Sequence, residues 1–383
     1  MTRDTAILPM PGPTVADIPM SASELDASDL EAVLEVLRSG RLALGPETAA
    51  FERALAAYVG VPHAVAVNSG TAALHLIVKA LDIGPGDEVL VPSFTFAASV
   101  NAFLYEGAVP VFVELEPGTC NLDVQDLERR ITPRTRAIMA VDVFGHPADW
   151  DGLERVARRH GLVVIDDCCE AIGATYRGRR LGSFGVAGAF AFYPNKQMTT
   201  GEGGMIVTGD AQLAERCRSC ANQGRGAMGP WLQHERLGHN YRMDEMSAAL
   251  GRSQLSRLDQ FLARRARVAG LYTERLAFLP GVRPPVVRRS VGMSWFVYVV
   301  TLEEGCDRDR TIAGMEREGV PARGYFAPVH TQPYIRERFG DLRGSLPRTE
   351  AIARRTLALP FHNGLGEAEI ERVLAALKRN LRC

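Results

Sequence analysis

Between residues 64 and 208 the sequence alternates short, largely apolar runs with stretches of helical periodicity. The runs fall at 64–67, 88–92, 109–113, 137–143, 162–165, 190–193 and 205–208. They lack the polar–apolar alternation of a strand with one wet face, so both faces must be covered. Helices between the strands supply that cover. The pattern predicts an α/β fold with a mostly parallel central sheet and helices on both faces. Ligands of such sheets collect beyond the carboxyl ends of the strands.

Four strand exits carry residues with chemistry. The first is Asn68-Ser69-Gly70-Thr71, a turn leading into a helical stretch. Free N–H groups and the positive end of a helix dipole face such a turn, and glycine lets an anion come near. It reads as a phosphate cradle or as plain helix capping. The second is Ser93-Phe94-Thr95-Phe96. Each phenylalanine is a core residue or a stacking face for a planar ligand. The third is Asp166-Asp167, after four apolar residues. A carboxylate near the core needs a partner. Asp167 is a helix N-cap or the counter-charge of a cationic ligand nitrogen, and Asp166 faces the other side of the sheet because adjacent strand residues alternate.

The fourth exit is 190–205, FAFYPNKQMTTGEGGM. Lys196 sits between an apolar run and Gly201, Gly203 and Gly204. It is a solvated turn residue or a buried amine. Burial would lower its pKa and leave part of it neutral, able to attack a carbonyl. A surface turn needs neither the aromatics before the lysine nor the glycines after it, so burial is the expectation.

These segments resemble the DegT/DnrJ/EryC1/StrS family of pyridoxal-phosphate-dependent sugar aminotransferases, and the likeness runs from about residue 18 onward. The resemblance implies the aspartate-aminotransferase-like (fold type I) architecture with a smaller C-terminal α+β domain. It implies pyridoxal 5'-phosphate held by Lys196, which then moves a proton as general base. It places Asp167 on the ring nitrogen, Phe96 on the ring face, and Gly70 and Thr71 on the phosphate. Glu170 falls near the cofactor's phenolic oxygen, where many relatives carry glutamine or histidine. Asn240, in HNYRMDE, corresponds to an asparagine that reaches the neighbouring subunit's phosphate, which implies a homodimer with shared active sites. Tyr325 and His330 match a loop near the substrate. Ala191 departs from the pattern, since many relatives have a phosphate-binding serine there. The implied reaction moves an amino group from L-glutamate to the keto group of a nucleotide-linked deoxysugar. Two alternatives stay open: a keto-cyclitol acceptor with glutamine as donor, and a non-catalytic sugar-nucleotide-binding regulator.

The rest of the chain frames this region. Residues 1–20 form a proline-rich arm, 21–255 a large cofactor-binding domain and 256–383 the small domain. Helical patterns at 29–39 and 48–59 precede the sheet. A long helical stretch covers 237–276, and its arginines from Arg252 to Arg267 read as a solvated face. Loops at 41–46, 224–231 and 325–330 are expected to build part of the pocket. The net charge of −1 comes without a basic block, so neither nucleic acid nor an anionic membrane is an expected partner. No apolar run is long enough for a membrane span, and a cytoplasmic location is expected. Seven cysteines show no metal spacing. Cys217 and Cys220 are a lone CxxC, so the expectation is reduced cysteines and no metal.

Overall fold

A computed structural model describes residues 18–226, 230 and 233–383. Seven strands make the main sheet: β1 His63–Val67, β2 Glu88–Pro92, β3 Val109–Val113, β4 Thr135–Val141, β5 Val163–Asp167, β6 Ala187–Ala191 and β7 Gly204–Thr208. Their spatial order is β1-β7-β6-β5-β4-β2-β3. Strands β2 to β6 pair in parallel, whereas β7 runs antiparallel to both β6 and β1.

Alternate residues of these strands enter two separate cores. Ala64, Ala66, Leu90, Ile138, Ala140, Val164 and Phe190 face one. Val65, Val67, Val89, Val91, Met139, Ile165 and Ala189 face the other. Both faces are apolar, which removes the period-two signal and leaves continuous runs in the sequence. Helices Pro46–Val59 and Trp150–His160 bury Phe51, Leu55, Trp150 and Leu153 on the first face. The helix Gly70–Ala80 buries Leu74, Leu76, Ile77 and Val78 on the second. Phe192 and Tyr193, expected in a strand, lie just past the end of β6.

A second sheet combines β8 Val282–Arg283, β9 Tyr298–Leu302 and β10 Thr356–Leu359, all antiparallel. Val268 and Tyr272 from helix Leu258–Leu276, with Val373 and Leu377 from helix Glu367–Asn380, cover it. This is the expected smaller α+β unit. Helix Leu258–Leu276 serves both units: Leu258 and Phe261 pack in the large core, and Val268 to Leu276 in the small one. Ile18 is buried in that small core, and Met20 accepts a backbone hydrogen bond from Phe361 at 3.0 Å. The remainder of the expected arm, residues 1–17, lies outside the described residues, as does part of the expected 224–231 loop.

Three expectations need correction. The helical stretch at 237–276 is two helices, Glu245–Ser256 and Leu258–Leu276, because Arg257 leaves helical geometry at φ −115°, ψ 5°. Its arginine row is not wholly solvated: Arg265 is 2% exposed and donates to the carbonyls of Trp295, Phe296 and Lys196. The cysteines are not all reduced. Cys306 and Cys383 form a disulfide, since the chain end returns beside Cys306 and Asp307 N–H donates to Arg382 O at 2.7 Å. The other five are free, and Cys217 and Cys220 are buried packing residues of helix Ala211–Ala221. No described helix is long and apolar enough to cross a membrane.

Candidate active site

The carboxyl end of β5 and the start of helix Gly70–Ala80 face one cavity of about 420 Å³. The sheet register explains why. Asp167 is on the same face as Ile165, which packs in the core that holds this helix. Asp166 points the other way. It accepts the Gly182 N–H at 2.7 Å, and burial beside the Asp142 carboxyl pushes its pKa up. Asp167 is 4% exposed and doubly held: Oδ1 accepts Cys169 N–H at 3.2 Å and Oδ2 accepts the Ser99 hydroxyl at 2.6 Å. Thr95 is 2.9 Å from Ser99, so two hydroxyls one helical turn apart stand behind the carboxylate.

The helix begins where Ser69 caps the Ala72 N–H at 3.1 Å. The first N–H groups of a helix lack intrahelical acceptors, and Gly70 and Thr71 line the cavity. Two glycines make the approach of strand and helix possible. A Cβ on Gly70 would lie 2.6 Å from the Ala191 Cβ, and one on Gly204 would lie 2.4 Å from the Ser69 carbonyl oxygen.

Lys196 enters the same cavity from the turn beyond β6. Its side chain is 12% exposed, so the expectation of burial holds. The amine sits 3.8 Å from the centre of the Phe296 ring and 3.7 Å from Glu170 Oε1. Glu170 Oε2 accepts the Phe144 N–H at 2.9 Å, and burial raises the pKa of this carboxyl. The backbone around Lys196 is pinned: its N–H donates to Tyr193 O at 2.9 Å, and its carbonyl accepts from Arg265 at 3.2 Å. Gln197 donates to Glu170 O at 2.6 Å and to the Ser294 hydroxyl at 2.9 Å.

Phe96 stands at the cavity with 65% of its surface exposed, while Phe94 is fully buried in the core. An exposed aromatic face above a buried carboxylate, an amine and a helix N-terminus suits a planar, anionic ligand with a basic ring nitrogen. The model of the DegT/DnrJ/EryC1/StrS aminotransferase family matches residues 23–378. The chain belongs to this family.

Relatives of the aminotransferase share nearly its whole length. GDP-perosamine synthase of Caulobacter vibrioides is 44% identical, over 96% of this chain and 100% of its own. The dTDP-3-amino-3,4,6-trideoxy-alpha-D-glucose transaminase of Streptomyces venezuelae is 42% identical, with 94% of each chain covered. The crystal structure of S. venezuelae DesV superposes with a TM-score of 0.87 at 42% identity, covering 92% of this chain and 94% of that one.

The structure of the aminotransferase brings Gly70, Thr71, Phe96, Asp167, Glu170, Lys196 and Tyr325 to one cavity. Burial, with Glu170 nearby, raises the pKa of the Tyr325 phenol. Asn240 does not line this cavity; it is exposed, bridged to Asn222. His330 corrects an expectation. It is 0% exposed and lies outside the cavity lining, fixed by Ser93 Oγ at 2.6 Å and Glu350 Oε1 at 3.1 Å. It ties the end of β2 to helix Pro347–Ala353 and does not reach the cavity. Sequence reasoning missed Thr95, Ser99, Phe296, Phe326 and Arg265. Only the first pair carried a signal, two hydroxyls at i and i+4 behind a strand end.

Proposed function

We propose that this aminotransferase uses pyridoxal 5'-phosphate to move an amino group from L-glutamate to the keto group of a nucleotide-linked deoxysugar. The convergence of Lys196 and Asp167 on a cavity that opens at a helix N-terminus carries this reading. The relatives named above, which act on GDP- and dTDP-linked sugars by their names, support the acceptor class.

The residues fit the cofactor. Asp167, kept in place by Ser99 and the Cys169 N–H, is a fixed negative charge for a protonated ring nitrogen. Gly70 and Thr71 offer N–H groups and a hydroxyl to the phosphate. Phe96 covers one ring face. When bound, the cofactor supplies an electron sink for charge developing at the donor's α-carbon. Lys196 holds the cofactor at rest, then takes the proton from that α-carbon. Glu170 lies 3.7 Å from the Lys196 amine and pairs with it across the cavity. Tyr325 and Phe326 add aromatic surface to the cavity wall, against which the acceptor can pack.

Asn240, exposed and outside the lining of its own cavity, serves the phosphate of a second copy, so the working unit is a homodimer with shared sites. A cytoplasmic location follows from the nucleotide-sugar and glutamate substrates. The test is turnover. Purified protein with added cofactor should become yellow and convert glutamate and a keto-sugar nucleotide to 2-oxoglutarate and an aminosugar nucleotide. Lys196→Ala should lose the colour and at least about 10³-fold in rate. Wild-type protein that stays colourless with the cofactor would sink the proposal.

A further inference from the structure

Three residues far apart in sequence meet outside the Lys196 cavity. His75 lies within helix Gly70–Ala80, Glu106 follows helix Ala98–Leu104, and His239 immediately precedes Asn240. A ring nitrogen of each histidine and a Glu106 carboxylate oxygen lie within 4.8 Å of one another. None of the three lines the cavity.

Each member is oriented by a neighbour. His75 Nε2 is 2.7 Å from Glu106 Oε1, while its Nδ1 is 3.3 Å from the Tyr241 hydroxyl. An outer partner of this kind holds the ring in place. The His239 ring stacks on Tyr241 with centroids 4.7 Å apart. Its backbone is pinned at both ends, donating to Cys220 O at 2.7 Å and accepting from Gln223 N–H at 2.8 Å. His239 Nε2 is closed to solvent and has no hydrogen-bond partner among the described residues. A buried polar atom left unpaired in this way calls for an explanation.

We propose that His75, Glu106 and His239 bind a divalent transition-metal ion, with Zn²⁺ the preferred occupant. Two imidazoles and one carboxylate match Zn²⁺ and the late first-row ions better than Mg²⁺ or Ca²⁺, which take all-oxygen shells. Bonds of about 2.0–2.2 Å set tetrahedral ligand atoms roughly 3.4 Å apart, so the His75–Glu106 pair, now 2.7 Å apart, opens slightly while His239 draws in from a spacing of up to 4.8 Å. Glu106 now serves a different cation: Lys79 Nζ lies 3.1 and 3.2 Å from its two oxygens. The metal therefore competes with the Lys79 ammonium. The bound ion fastens the segment that carries Asn240 to the helix whose first turn faces the cavity.

The test titrates chelator-treated, cofactor-loaded protein with Zn²⁺ by calorimetry, with metal analysis after dialysis. The expected result is saturable uptake of one ion per chain, weakened at least about tenfold by His239→Gln. Lys79→Gln should tighten binding, because it frees Glu106. His239 is only partly buried, so the glutamine variant should fold, and circular dichroism checks that it has. Zn²⁺ should also raise the melting temperature of wild type and not of His239→Gln. Hydrogen exchange at 233–242 should slow when the ion is present. Absence of saturable uptake, or uptake unchanged by His239→Gln, would overturn the site. Unchanged exchange would overturn the fastening role.

Discussion

Glu170 bridges two parts of the site: one carboxylate oxygen lies 3.7 Å from the Lys196 amine, and the other accepts the Phe144 N–H at 2.9 Å. The Glu170 carboxylate is therefore paired at both oxygens. Burial is still the largest influence on it, and it raises the pKa above the ordinary 4.5. Below about pH 4.5 the group is protonated in both folded and unfolded chains and costs nothing. As pH rises through the folded pKa, the unfolded chain ionises more readily and stability is lost. Glu170→Gln should thus raise the melting temperature of the cofactor-free protein at pH 8 and leave it unchanged near pH 4. A gain of equal size at both pH values would contradict this account.

Ser99 lines the cavity and holds Asp167 from behind. Its hydroxyl donates to a buried carboxylate, a bond worth about 1.5–3 kcal/mol. Ser99→Ala should weaken cofactor binding by roughly 10- to 100-fold, read by equilibrium dialysis. Asp167→Asn keeps the shape and removes the charge, and should weaken it further. Wild-type affinity in Ser99→Ala would show that the Cys169 N–H suffices.

His330→Ala should separate anchoring from substrate contact. It opens a cavity and leaves Ser93 and Glu350 without their shared partner, for a loss of about 2–4 kcal/mol. Denaturant unfolding measures that loss. The KM for the acceptor should stay at its wild-type value, and a large rise in KM at full stability would restore the substrate role.

Arg265 is a buried cation whose described hydrogen bonds all go to carbonyl oxygens, and burial lowers its pKa to about 10. Its removal leaves the Trp295, Phe296 and Lys196 carbonyls short of a donor. Arg265→Ala should cost about 3 kcal/mol and loosen the turn that aims Lys196, lowering kcat. Arg265→Lys should rescue little, because one ammonium cannot reproduce the planar fork. Full rescue by lysine would mean that charge alone matters there.

Much of this protein was legible as local pattern. Continuous apolar runs between helical stretches determined the doubly covered sheet, because a strand buried on both faces has no polar positions to show. Strand exits located Gly70, Asp167 and Lys196, because ligands gather where the backbone leaves the sheet. Tertiary structure alone decided the contacts between distant segments. The same residue types, histidine and arginine, read as loop or surface features in sequence, yet His330 and Arg265 are buried. Their burial depends on which helix crosses which strand end, and no local period records that. Cys306 with Cys383, and His75 with Glu106 and His239, meet for the same reason: their neighbourhoods are set by packing of elements far apart in the chain, and the energy that brings them together is spread over the cores between them.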